Sequence, residues 1–295
     1  AKTTRDTLAI GEQYHWRVPW ANPPPDANIQ ATAFSLQDEH ASNNHSTLAY
    51  ASEDIAIEPL LPLDQQRLRP ESNGPTMTAP KLTTPLTIDG DLADWNGMPC
   101  TEVNSADQIS FGSHDTWTGP DDLSGHVCYA WDDDNLYLGF QIVDDVIVQG
   151  YTGTNIWHGD HVELWFDTRL QLDFDSAQAD DDDFQLGLSP GNFKDVPPDL
   201  FIWTPPTLAE NYQNILYAVK QTPDGYSAEM AIPAQVLTGL LLAPDHAIGA
   251  TFDPSDTDAS EGKDQETMLS TAPHTQWGTP TLWNNLILSQ ANDSN

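Results

Sequence analysis

NIWHGDHVELWFD, running from Asn155 to Asp167, is the stretch whose reading decides the fold. From His161 onward apolar and polar residues alternate, which is the period of a β-strand. Val162, Leu164 and Phe166 would face a core, with His161, Glu163, Trp165 and Asp167 on the opposite side. The loop entering the strand carries Trp157, six residues before Glu163. Extended geometry reaching back through that loop would turn an indole and a carboxylate the same way, both toward solvent. A sugar ring suits that pairing, because its C–H face stacks on the aromatic while its hydroxyls donate to the acid.

Outward from this strand the chain continues as short alternating runs. His126 to Trp131 and Leu136 to Val143 read as a hairpin across Asp132 to Asn135, with Leu136, Leu138, Phe140 and Ile142 on the core side. Further strands are expected at Leu82 to Ile88, Phe184 to Leu188, Leu200 to Trp203, Ile215 to Lys220, Tyr226 to Ile232, Ile248 to Phe252 and Asn285 to Leu288. Pro233 to Leu242 is expected to form the one short helix, since proline fits a first turn. Many short strands with little helix predict an all-β, two-sheet antiparallel β-sandwich over residues 81–295. Within it, LQLDFDSAQADDDD (Leu170 to Asp183) reads as an acidic, solvated insertion whose four consecutive aspartates could recruit a cation.

Residues 1–80 have a different composition. They hold nine of the 23 prolines and interrupt their apolar pieces, at 14–20, 32–36 and 55–61, with proline-rich breaks. An extended arm without its own core is the expectation. Such an arm could dock on its own domain or on other protein subunits. The formal net charge of −35 repels nucleic acid and anionic membrane surfaces and suits divalent cations or high salt. No run approaches the length of a membrane helix, so direct membrane insertion is not expected. Cys100 and Cys128 are the two cysteines and are read as a disulfide in a secreted, extracellular or periplasmic chain. Closing that loop would stabilise the fold by about 3 kcal/mol in the loop-entropy model.

Five segments in order carry a resemblance: IDGDLADWNG (Ile88 to Gly97), DDDNLYLGFQIVDD (Asp132 to Asp145), WHGDHVELWFD (Trp157 to Asp167), YSAEMAIP (Tyr226 to Pro233) and WGTPTLWNNLIL (Trp277 to Leu288). Over residues 82–290 the chain resembles the family 9 carbohydrate-binding modules, secreted β-sandwich domains. The resemblance implies a sugar held between two tryptophans, matching Trp157 and Trp277, with Glu163 as the acid. His274 stands where the family carries an asparagine, which changes the hydrogen-bonding pattern open to a ligand. Trp283 occupies a position where a smaller residue is usual. Structural Ca²⁺ is implied as well, and Asp89, Asp91, Asp144 and Asp145 are its candidate ligands.

Catalysis is not expected. No carboxyl pair is marked by contrasting environments, and P-loop and HExxH motifs do not occur. A related sandwich can bind b-type haem, for which Met230 and His274 are the available ligands. The reading that follows is a secreted, non-catalytic domain binding a polysaccharide or oligosaccharide. Its alternative is a structural subunit of an extracellular assembly that docks through residues 1–80.

Overall fold

The computed structural model describes residues 60–113, 115–205, 214–258 and 265–290. The arm's apolar pieces at 14–20, 32–36 and 55–59, and the docking role assigned to them, lie outside those residues. The compact unit that carries the sandwich starts at Leu61. Residues 61–80 therefore belong to the sandwich unit, although composition alone assigns them to the arm.

Among the described residues thirteen strands form two sheets. The first sheet has the order β1-β13-β11-β6-β7-β8, built from β1 (Met77–Pro80), β13 (Asn284–Ser289), β11 (His246–Asp256), β6 (His161–Asp167), β7 (Asp183–Ser189) and β8 (Asp199–Thr204). Two short strands, β12 (Thr267–Leu269) and β3 (Ile109–Phe111), extend it from β11. The second sheet runs β2-β4-β5-β10-β9: Cys100–Val103, Leu123–Trp131, Asn135–Asp144, Gly225–Pro233 and Leu216–Thr222. Pairing is antiparallel throughout except between β1 and β13. Val162, Leu164 and Phe166 from the first sheet, and Leu136, Leu138, Phe140 and Ile142 from the second, are fully buried in one core. Phe140 and Phe252 meet across it with centroids 5.4 Å apart.

Two predicted elements change. Leu82 to Ile88 is not a strand; after the bridge of Lys81 to Trp131 the chain leaves the ladder. Leu82, Leu86 and Ile88 instead pack with Trp95 on the outer face of the second sheet, over Cys128, Ala130, Tyr137 and Ala231. Trp95 reaches the sheet because residue 139 is glycine, where a Cβ would meet the indole at 2.4 Å. Nor does Pro233 to Leu242 form a helix. Pro233 pairs with Asn135 at the end of β10, and a run of turns follows with Gly239 at φ +92°. Those turns bury Val236 and Leu237, so core burial without helical hydrogen bonds wins over spacing. Cys100 and Cys128 face each other across β2 and β4 and form the expected disulfide. Among the described residues no helix is long and apolar enough to cross a membrane.

Candidate functional site

Every residue of β6 is buried, including the face the alternation turns outward. A second layer covers that face. Asp167 lies under Arg69, whose Nη2 is 3.4 Å from its Oδ2. Trp165 is covered by Trp283, with centroids 5.4 Å apart, and by the edge of Trp277 at 6.4 Å. Trp283 is fully buried, so the bulk that distinguishes this chain at that position fills the layer beneath the surface. Trp203 packs edge-on to His161 at 6.3 Å. It lies against Gly187, where a Cβ would meet the ring at 2.3 Å, and Gly187 pairs directly with Glu163.

Above this layer stands Trp277, 77% exposed. Its indole N–H donates to Gln185 Oε1 at 3.2 Å, and Gln185 Nε2 donates to Glu163 Oε2 at 3.1 Å. The other oxygen of Glu163 is 3.4 Å from His161 Nε2, while His161 Nδ1 donates to the Gly159 carbonyl at 2.7 Å. Glu163 itself is only 9% exposed, so it is not presented freely to solvent as the alternation implies. Behind it, paired with it across β11, lies Asp253, fully buried and accepting from Ser270 Oγ at 2.6 Å and Thr251 Oγ1 at 2.9 Å. Burial pushes the Asp253 carboxyl up to about 8, with the neighbouring Glu163 adding to the shift.

Trp157 sits on a short 3₁₀ turn, Gly153–His158, just before β6, and is 36% exposed. Its ring stacks on His158 with centroids 3.6 Å apart. Ile156 of the same turn is buried near Gly187, and Trp203 Nε1 donates to the Thr154 carbonyl at 3.1 Å. The turn is thus anchored beside the residue that pairs with Glu163. Gln149 ties the loop further, donating to the carbonyls of Ile156 and Asp160, both at 3.0 Å.

Beneath this loop Asp144, Asp160 and Asp256 bring carboxylate oxygens within 4.8 Å of one another. All three are buried, and Asp122 and Asp258 form an adjoining group with Asp256. Asp160 accepts from the backbone N–H groups of Val148 and of Thr257. Asp144 Oδ2 and Asp256 Oδ1 are buried without any hydrogen-bond partner. Burial pushes Asp144 up to about 7 and Asp256 up to about 8, and holds Asp160 well above the usual carboxylate range. Oxygen-only donors with orphaned lone pairs fit a hard divalent cation such as Ca²⁺.

Of the four calcium ligands that the resemblance implies, Asp144 is the one found in such a group. Asp145, next to it, is exposed. Asp89 and Asp91 belong to no group of acids close enough to share a cation among the described residues. They serve their own turn: Asp89 Oδ1 accepts from the Asp91 N–H at 2.9 Å, and Asp91 pairs with Lys220 at 2.8 Å. The hydrogen bond from Lys220 holds the Asp91 carboxyl below its usual range. His274 is exposed on the loop that leads to Trp277. Met230 lies in the core with no exposure, so the haem ligand pair is not brought together. Spacing gave no signal for Gln185, Trp203, Asp160 or Asp256, which converge only through strand pairing.

A two-sheet β-sandwich with an exposed tryptophan over a buried polar relay is the class of protein these observations define. The chain belongs to the carbohydrate family 9 binding domain-like family, whose model matches residues 88–291. Two similar solved structures are of a family 9 carbohydrate binding module from Caldicellulosiruptor kristjanssonii. One, in complex with cellotriose, is 19% identical with a TM-score of 0.55, covering 74% of this chain and 96% of that one. The other, in complex with glucose, is 18% identical with a TM-score of 0.54, covering 74% and 98%. At these identities the likeness is one of fold. A search of curated proteins finds no match.

Proposed function

We propose that this chain is a secreted, non-catalytic carbohydrate-binding domain whose sugar lies between Trp277 and Trp157. The observation that carries the reading is the state of Trp277. A ring this large left 77% in solvent, yet fixed through its N–H by Gln185, is a positioned apolar plate rather than a packing residue. An indole face takes the C–H face of a pyranose, and stacking of this kind contributes about 1–3 kcal/mol. Glu163 accepts from sugar hydroxyls as they enter, and His274 lies on the loop that carries Trp277. That related modules are seen with cellotriose and with glucose supports a β-glucan or its end as the ligand.

Calcium belongs to the same reading. Asp144, Asp160 and Asp256 would hold it, with the ion neutralising buried charge and fixing the loop that presents Trp157. Asp145, Asp89 and Asp91 take no part in that site.

Calorimetric titration of the full chain with glucose and cellotriose, with and without Ca²⁺, tests both parts. Trp277→Ala is expected to weaken binding by about ten- to hundredfold while leaving the melting temperature within about 2 °C. EDTA is expected to lower the melting temperature, and added Ca²⁺ to restore it. Unchanged affinity in Trp277→Ala would overturn the site, and a melting temperature indifferent to EDTA would overturn the calcium.

A further inference from the structure

The Asp-rich loop between β6 and β7 holds a second set of acids, separate from both the tryptophan platform and the Asp144 group. Asp167, Asp173 and Asp182 bring oxygens within 4.8 Å of one another, and so do Asp173, Asp180 and Asp183. Asp173 is common to both. Two arginines already approach the cluster. Arg69 reaches Asp167 Oδ2 at 3.4 Å and gives Nη1 to the Phe174 carbonyl, while Arg169 engages Asp182 Oδ1. Each arginine satisfies one oxygen of its partner and leaves the other.

The remaining oxygens are the independent observation. Asp167 Oδ1, Asp182 Oδ2 and Asp183 Oδ1 are buried without a hydrogen-bond partner, on side chains with 0%, 3% and 1% exposure. Both oxygens of Asp173 are likewise buried and unpartnered. Five acids against two arginines leave a net charge of −3 when all are ionised. Burial pushes Asp167 and Asp183 up to about 8, which is the cost of that charge in the absence of a counter-ion. Oxygens that all lie within 4.8 Å of one another can reach one ion at the roughly 2.3–2.6 Å that Ca²⁺ prefers.

We propose that Asp167, Asp173 and Asp182 hold a second Ca²⁺, with Asp183 in the adjoining group that shares Asp173, and that the ion locks the acidic loop onto the strap at Arg67 and Arg69. The strap and the loop are already in register. Gln171 exchanges hydrogen bonds with the backbone of Arg67 at 2.8 and 2.9 Å, and Arg67 pairs with Asp175 at 2.8 Å. Both guanidinium groups lie over Phe174, 4.3 and 4.2 Å from its ring centre. On its other side Arg69 is held by Asn285 of β13 through backbone contacts of 2.7 and 3.0 Å. A cation at Asp173 therefore closes the connection from the strap through the loop to β6 and β7. The exposed parts of that connection are weak alone, since surface ion pairs contribute little.

The test uses the full chain with Ca²⁺ alone as probe. Native mass spectrometry counts bound ions, and hydrogen exchange follows residues 170–183 and 66–69. Asp173→Asn removes a ligand whose carboxylate oxygens have no hydrogen-bond partner and leaves the backbone contact from Ser176 in place, so the fold is retained. Binding at this site is expected to weaken by at least about tenfold in that variant. In the wild type, Ca²⁺ slows exchange in both segments; in Asp173→Asn/Asp183→Asn it does not. Asp144→Asn, directed at the other group, leaves this protection intact, so the two sites fail separately. An ion count unchanged between wild type and the double variant, or exchange indifferent to Ca²⁺ in the wild type, would overturn the proposal.

Discussion

Two glutamates, Glu229 on β10 and Glu163 on β6, sit on the outer faces of the two sheets and have opposite surroundings. Glu229 is fully buried and saturated: it accepts from the N–H groups of Asp89 and Gly90 at 2.8 and 2.7 Å and from Trp95 Nε1 at 2.9 Å. The segment Leu82 to Met98 closes over it as a lid of apolar side chains. Glu163 has one good donor, Gln185 at 3.1 Å, and an exposed indole beside it instead of a lid. Each sheet places a glycine beneath a tryptophan, Gly139 under Trp95 and Gly187 under Trp203. The same device thus serves a sealed face on one sheet and, on the other, a covered face topped by an exposed indole.

Substitution separates the two roles most sharply. Glu229→Ala leaves three donors, two of them buried, without an acceptor and is expected to cost about 3–5 kcal/mol, read as a loss in urea midpoint. Glu163→Gln is expected to change stability by less than about 1 kcal/mol and to weaken sugar binding by about 1.5–3 kcal/mol, because a charge-assisted acceptor becomes neutral. Equal stability losses from both would erase the distinction between sealed and open faces.

The next effect is a pH dependence seated behind Glu163. Asp253 keeps its proton in the folded state up to about 8, whereas the unfolded chain releases it near the ordinary carboxylate value. Between those limits the folded state binds the extra proton, so stability falls as pH rises from about 4 to about 8. Asp253→Asn cannot ionise and is expected to match the wild type near pH 4. Near pH 8 it should melt about 5–10 °C above it, the shift expected for a few kcal/mol. Scanning calorimetry at both pH values, in the same salt, reads the difference; parallel curves would place the titration elsewhere.

These contrasts mark what the sequence could disclose. Strands with clean alternation, such as His161 to Asp167 and Leu136 to Asp144, were legible because one face must be apolar wherever a core exists. The outer faces were not. Nothing in YSAEMAIP marks a partner for Glu229, and only the folded chain shows a turn from residues 89 and 90 closing on it. Leu82, Leu86 and Ile88 carry strand-like spacing but serve as that lid, since apolar period alone cannot distinguish a ladder from a cover. Trp157, Trp277 and Glu163 could be singled out by type and resemblance. Gln185, which joins two of them, could not, because a polar residue on β7 gains meaning only from its register with Trp165.

That register supplies the smallest test and the most discriminating one. Gln185 holds Glu163 with its amide N–H and Trp277 with its carbonyl, so it couples the acid to the aromatic plate. Gln185→Ala is expected to weaken sugar binding by about 0.5–1.5 kcal/mol, the net worth of one such hydrogen bond. Trp277→Phe keeps a stacking ring and removes the indole N–H. In a double-mutant cycle the two changes are expected to be non-additive by about 0.5–1 kcal/mol, because either one breaks the same link. Additive losses would mean that Gln185 acts through Glu163 alone, and that Trp277 is oriented by its T-shaped contact with Trp165 beneath it rather than by the relay.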